Sequence, residues 1–229
     1  MSHEKIAATF DEWARTGKDA GMEDGHGDVV RQVLESLEVN SSDRILDLGC
    51  GNGWATRALA KLGPGTSAIG VDASPEMIRR AESLHSFTIR ARYERMHFEA
   101  LDFKDAHFDR AFSMEALYYA PDLDRALSEL ARVLKPGARA DLVINCFREH
   151  ELSRRWSELL GVPMHCLPEA EWLERLARAG FREIESERVL DSRGPGDESA
   201  FEPSRWVPTW SDAVASHAAG SLWLRAVRP

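Results

Sequence analysis

Cysteine, lysine and long apolar runs are all scarce in this chain, and each scarcity excludes a class of protein. The three cysteines, Cys50, Cys146 and Cys166, cannot all pair, and their spacing matches neither a disulfide framework nor a zinc knuckle. Free thiols of this kind point to a reducing, cytoplasmic setting, and no metal site is expected. No apolar stretch is long enough to span a bilayer, and Met1 to Trp13 is interrupted by acids rather than built as a signal peptide. A soluble protein with no membrane partner is expected. Basic residues are also in deficit: 29 Lys and Arg face 38 Asp and Glu, a net charge of −9. The phosphates of a nucleic acid would meet like charge over most of such a surface, so no nucleic-acid partner is expected. The many arginines are scattered beside acids, as in Glu171–Arg178, which is the pattern of solvated helix faces.

What remains is an ordinary globular composition, 43% hydrophobic and 29% charged. At 229 residues the chain has room for one large domain with a buried core. The apolar residues Val29, Val30, Val33, Leu34 and Leu37 predict a helix over 28–37. The apolar run Arg44–Leu48 ends in glycines, and helical spacing resumes from Ala55 to Leu62, a strand, loop and helix in succession. Ala68–Val71 repeats the strand pattern, and Ser74-Pro75 opens a helix through Met77, Ile78 and Ala81. Strands are expected at 109–113 and 140–145 around a helix at 122–134 that stops at Lys135-Pro136-Gly137. Helices at 149–160 and 169–179, a strand at 182–190, a long loop at 191–208 and a strand at 222–227 follow. Alternation of this kind predicts a parallel sheet with helices on both faces. The segment Trp13 to His26 does not read as a regular helix.

The glycines at 49, 51 and 53 let the backbone turn sharply and approach a ligand at the start of a helix. A dinucleotide loop, Gly-x-Gly-x-x-Gly, would need glycine at 54, where this chain has Trp. Asp47-Leu48-Gly49-Cys50-Gly51-Asn52-Gly53 instead resembles the Asp/Glu-x-Gly-x-Gly-x-Gly motif of the class I S-adenosylmethionine-dependent methyltransferases, of the small-molecule, type 11-like group. The resemblance runs in register over roughly residues 40 to 145, through Gly70-Val71-Asp72-Ala73-Ser74-Pro75-Glu76-Met77, Phe108-Asp109 and Arg132-Val133-Leu134-Lys135-Pro136-Gly137.

The resemblance implies a Rossmann-like, mostly parallel seven-stranded sheet whose last strand is antiparallel. It divides the single domain into an N-terminal lid and helix (1–40), a cofactor core (41–147) and a substrate side (148–229). It further implies S-adenosyl-L-methionine as cofactor and S-adenosyl-L-homocysteine as product. The glycine loop, with Cys50, Asn52 and Trp54, would pack against the methionine part, and Asp47 would engage its amino-acid end. Asp72, followed by Ala73 and Met77, would take the two ribose hydroxyls, since one carboxylate can accept both hydrogen bonds. Where relatives carry an aspartate toward the adenine edge this chain has His97, with Phe98 supplying the next backbone amide. Ser113 closes the cofactor set. An exposed loop histidine is the other reading of His97, and Ala138 departs from the second glycine usual after Lys-Pro-Gly.

Methyl transfer is an in-line displacement that demands positioning and exclusion of water more than any particular residue. A small-molecule acceptor is expected above the carboxyl ends of the strands, on a monomer or homodimer. There Glu115 is a candidate base and Tyr118 or Tyr119 a candidate wall, against the alternative of an ordinary carboxylate beside core tyrosines. Glu23 and His26 are lid candidates, His26 for its ability to change charge near neutral pH, against a simple helix start. Five tryptophans, 156, 172, 206, 210 and 223, either line an apolar cavity or pack the core. Two alternatives stand beside the enzyme: a non-catalytic cofactor-binding module, and a thiol or metalloid methyltransferase using Cys146 and Cys166. Burial as small hydrophobes, with His165 structural, is the commoner explanation of those cysteines.

Overall fold

Seven strands form one sheet in a computed structural model that describes residues 3–229. In chain order they are β1 (Arg44–Leu48), β2 (Ser67–Asp72), β3 (Ala91–Arg95), β4 (Phe108–Met114), β5 (Leu134–Ile144), β6 (Arg182–Val189) and β7 (Ser221–Val227). The spatial order is β3-β2-β1-β4-β5-β7-β6. All pairs among the first five are parallel, whereas β7 runs antiparallel to both β5 and β6. The Rossmann-like, mostly parallel sheet with an antiparallel last strand is thus present as expected. The chain order reverses at β1, with β2 on one side and β4 on the other, so the loops after these strands open into a common crevice.

Among the described residues, eight α-helices accompany the sheet: α1 (His3–Thr16), α2 (Ala20–Glu35), α3 (Trp54–Leu59), α4 (Pro75–Ser83), α5 (Leu123–Val133), α6 (Trp156–Leu160), α7 (Glu169–Arg178) and α8 (Trp210–Ala219). One apolar layer combines Val29, Val30 and Val33 of α2 and Leu59 of α3 with Ile45 and Phe112 of the sheet. The opposite layer combines Leu123, Leu127 and Leu130 of α5 and Trp172 and Leu176 of α7 with Leu46, Leu48 and Leu142. Burial on both faces is why β1 reads as a continuous apolar run. Ser74 caps α4 by accepting from the Met77 amide at 3.0 Å, with Pro75 at its first position, as the sequence predicts.

Four expectations change. Trp13 to His26 is helical, lying in the end of α1 and the start of α2, and the turn between them is made at Gly17. The helix predicted from Asp28 begins at Ala20, because Asp28 is not a helix cap. Its carboxylate accepts from the Ser192 amide at 2.7 Å and the Ser192 hydroxyl at 2.8 Å, tying α2 to the loop after β6. The stretch 134–138 belongs to β5, where register against β4 shifts between Phe108 and Arg110 to absorb the Pro-Gly turn. The expected helix at 149–160 is a 3₁₀ turn, Glu151–Arg155, followed by the short α6. Strand β3 escapes apolar patterning because only Tyr93 of Ala-Arg-Tyr-Glu-Arg is buried. No helix among the described residues is long and apolar enough to cross a membrane.

Candidate active site

Strand β1 delivers Asp47 and then the glycine loop. Gly49, Gly51 and Gly53 all have positive φ, at 76°, 52° and 78°. Gly49 is the most demanding: a Cβ there would lie 2.1 Å from the Ala116 Cβ, and its amide and that of Cys50 both donate to the Val71 carbonyl, at 2.8 and 3.0 Å. At Gly53 a Cβ would strike the Tyr93 ring at 2.5 Å, so that glycine serves the packing of the loop on β3. Asp72, at the end of β2, accepts from the Gly51 amide at 3.0 Å and the Ser74 amide at 2.8 Å. The two carboxyls therefore flank one loop. Burial is the main reason both hold protons more tightly than usual, Asp47 rising to about 7 and Asp72 to about 6. The Thr56 hydroxyl, donating to Asp47 at 2.5 Å, offsets only part of that effect.

Two chambers open from this loop. The first, about 630 Å³ of unfilled space, is bounded by Gly49, Gly51, Asp72, Ala73, Met77, His97 and Phe98, with α1 as its cover through His3, Ile6 and Phe10. The second, about 960 Å³, is bounded by Asp47, Cys50, Trp54, His26 and a set of aromatic rings. Both share Phe10, Met22, Gly49, Met114, Glu115 and Tyr119, so they meet at those side chains.

Glu115 stands at that junction with a strained backbone, φ 53°. One of its carboxylate oxygens accepts from the Tyr118 hydroxyl at 2.8 Å and the other from the Asn145 amide. Burial outweighs these bonds and pushes its pKa up to about 8. Burial also pushes the Tyr118 and Tyr119 phenols up, which leaves both neutral.

Several residues expected to contact the cofactor lie outside the first chamber. Ser113 donates its hydroxyl to the Leu48 carbonyl at 2.8 Å and is consumed inside the sheet. Asn52 donates to the carbonyl and carboxylate of Asp19, at 3.2 and 3.1 Å, so its side chain anchors the start of α2 instead. Trp54 and Cys50 face the second chamber rather than the first. His26 does line that chamber, but burial and then the nearby Arg193 charge lower its pKa to about 4. It is neutral around pH 7, which corrects the expectation of a charge change there. Glu23 is exposed and borders neither chamber. Of the five tryptophans, Trp156 and Trp206 reach the second chamber, while Trp172 is core and Trp223 donates to Asp141 at 3.2 Å. Cys146 packs against Met164 at 4.0 Å, Cys166 lies near Ser153, and His165 bonds to the Ala120 carbonyl. Neither thiol borders a chamber.

The residues that sequence reading missed come mainly from α1. Phe10 and Trp13 wall the chambers, and Asp11 accepts from the Ser74 hydroxyl at 2.5 Å and the Glu76 amide at 3.1 Å, latching α1 onto the start of α4. The spacing of Ile6, Phe10 and Trp13 was the available signal.

The first chamber suits a nucleoside, while Asp47, across the same loop, faces the second. His97 Nδ1 is buried there without a partner, Asp72 presents a carboxylate, and Gly51 leaves room where a Cβ would come 3.2 Å from Met22. Residues 45–137 match the methyltransferase domain family model. The O-methyltransferase resE of Aspergillus sclerotiorum is 31% identical over 190 residues, 80% of this chain and 71% of that protein. The O-methyltransferase rstn1 of Aspergillus nomiae is 33% identical over 174 residues, 72% of this chain and 76% of its own. Among solved structures, the putative methyltransferase of Haloferax volcanii, in complex with the methyltransferase activator Trm112, superposes with a TM-score of 0.88. It is 33% identical, with 96% of this chain and 97% of that one covered. Sequence motif, sheet order and relatives agree, and the chain belongs to the class I S-adenosylmethionine-dependent methyltransferases.

Proposed function

We propose that the enzyme transfers the methyl group to an oxygen, nitrogen or carbon atom of a small-molecule acceptor held in the second, aromatic chamber. The observation that carries this reading is the position of Glu115, which borders both chambers at their junction. The bound cofactor supplies an activated methyl carbon. Asp72 would hold the ribose hydroxyls, Asp47 the amino-acid end, and His97 with the Phe98 amide the adenine edge. Phe10, Met22 and Tyr119 close the junction against water, and Glu115 takes a proton from an acceptor that must lose one. With a pKa of about 8, Glu115 is mostly protonated at pH 7, so base catalysis strengthens as pH rises toward 8. The Cys146 and Cys166 thiols, which lie outside the lining of both chambers, support small-molecule transfer over the metalloid alternative.

Calorimetry with S-adenosyl-L-methionine tests the cofactor half, and labelled methyl transfer to a panel of hydroxyl, amine and carbon acceptors tests the other. Tight cofactor binding with no transfer to any acceptor favours the non-catalytic module; no cofactor binding at saturation ends the proposal.

A specific feature also supports a protein partner of the kind seen with the Haloferax volcanii relative. Strand β3 is an edge strand, and just before it Phe87 is fully exposed and Leu84 is exposed beside it. A small activator protein of the Trm112 type would pair along this edge and cover Phe87. Sedimentation of the enzyme with Haloferax volcanii Trm112 should give a one-to-one complex that Phe87→Glu abolishes. Independent sedimentation of the unmutated pair at tens of micromolar would exclude this partner.

A further inference from the structure

The second chamber carries a narrower statement about its occupant, which rests on the reading of that chamber as the acceptor site. We propose that the acceptor is an uncharged, ring-bearing molecule that offers a hydroxyl as the attacking group.

The argument starts with what lines the space. Trp13, Trp54, Trp156 and Trp206 stand around it, with Phe10 and Tyr119 at its inner end. These rings come from α1, α3, α6 and the loop before α8, so the chamber presents flat apolar faces from several directions. Stacking between such faces selects a flat ring over a flexible chain.

Charge then narrows the class. No lysine or arginine is among the lining residues, and the one imidazole, His26, is neutral. The acids of the lining are Asp47, which the cofactor's amino-acid end would occupy, and Glu115. Apart from the cofactor's own sulfonium, a carboxylate or phosphate entering here would lose its water and meet no cationic side chain in the lining, only the Glu115 carboxyl. Lys18 and Arg205 lie at the outer mouth beside Trp206, but both are exposed to solvent and hold charge outside the chamber. An ammonium acceptor meets a different obstacle. Its attacking atom must reach the junction, where the cofactor's sulfur centre already carries positive charge in a space of low polarity. A neutral hydroxyl avoids both penalties.

The junction also provides for the hydroxyl proton. Each oxygen of Glu115 receives one hydrogen bond, from Tyr118 and from the Asn145 amide, which fixes the carboxylate while leaving lone pairs free. The acceptor O–H bond breaks with its proton passing to Glu115. The acceptor oxygen forms a bond to the methyl carbon as the carbon–sulfur bond breaks, and that electron pair stays on sulfur. The products are a methyl ether, S-adenosyl-L-homocysteine and a protonated Glu115 that returns its proton to water.

Three probes that share one ring separate the alternatives: 2-naphthol, 2-naphthoate and 2-naphthylmethylammonium. Each is titrated by tryptophan fluorescence at pH 7 into enzyme saturated with sinefungin, a cofactor analogue whose protonated amine stands where the sulfonium charge would be, a readout independent of turnover. Naphthol is expected to bind at least about tenfold more tightly than either ion. Trp206→Ala is expected to weaken naphthol by about tenfold while leaving homocysteine-cofactor affinity unchanged, which certifies its fold. Equal or tighter binding of the carboxylate or the ammonium overturns the proposal. So does failure of every ring to bind an enzyme saturated with sinefungin, and in that case the methyltransferase reading survives. Failure to bind S-adenosyl-L-homocysteine removes the proposed function and this inference together.

Discussion

The two chambers are made in different ways from one chain. The first lies mostly between Gly49 and Pro121 under the cover of α1, on a floor made by the glycine loop and tied by main-chain hydrogen bonds such as those from Gly49 and Cys50 to Val71. The second is walled by large rings from both ends of the chain, Trp13 and Trp206 being nearly two hundred positions apart. A floor of backbone amides is rigid, and at Gly49 it has no room for an added atom. Walls of side chains on separate helices can change from one relative to another without disturbing that floor. Glu115 borders both, where the backbone floor meets the side-chain walls.

The largest effect that would break this comparison is expected at Gly49. Gly49→Ala forces a Cβ to within 2.1 Å of Ala116 at a positive φ, and should cost about 3 kcal/mol of stability in denaturant titration. A loss near zero would show that the floor yields. Next comes Glu115→Gln, which should lower kcat by about 10²–10³-fold and remove the pH limb near 8 while cofactor affinity stays within about twofold. An unchanged limb would assign the proton to another group.

A smaller effect should appear in stability against pH. Asp47 and Glu115 have folded pKa values of about 7 and 8, against ordinary values of 3.8 and 4.5, so between them the folded state binds more protons than the unfolded one. Stability then falls as pH rises. Below about 6.5 the buried neutral His26, lowered to about 4, opposes this trend because the unfolded histidine gains a proton. The clear window is therefore pH 6.5–8, over which the free enzyme should lose on the order of 1–2 kcal/mol by thermal or denaturant unfolding. A rise in stability across that window would contradict the burial of both acids. The smallest effect is the mirror of the first. Gly25 lies inside α2 with open space around its missing Cβ, so Gly25→Ala should stabilise α2 by about 0.5–1 kcal/mol, seen as slower amide exchange in residues 20–27. Destabilisation there would mean that α2 needs its glycine.

The legible part of the molecule is the glycine loop with the two acids that flank it. Asp47, the loop glycines and Asp72 are separated by a fixed strand, turn and helix, so their spacing along the chain determines their spacing in space. Strands β1 and β2 and helices α4, α5 and α7 were equally plain, because burial on one or both faces leaves a periodic trace. The N-terminal helices were not. Three glycines between Gly21 and Gly27 argue locally against a helix, and what holds α2 there is distant: Asp19 to Asn52 and Arg80, and Asp28 to Ser192. Ser113 and Asn52 sit among cofactor motifs, yet their hydrogen bonds are spent on Leu48 and Asp19, a fact of three-dimensional proximity alone.

By itself, then, the sequence determined the sheet, the cofactor and the two acids that flank the loop, since these depend on contacts within one contiguous stretch. Only tertiary structure decided that His26 is neutral, that Trp156 and Trp206 face a cavity while Trp172 and Trp223 do not, and that Glu115 joins two chambers. Those properties depend on which distant segments exclude water from a given side chain, and local periodicity carries no record of that.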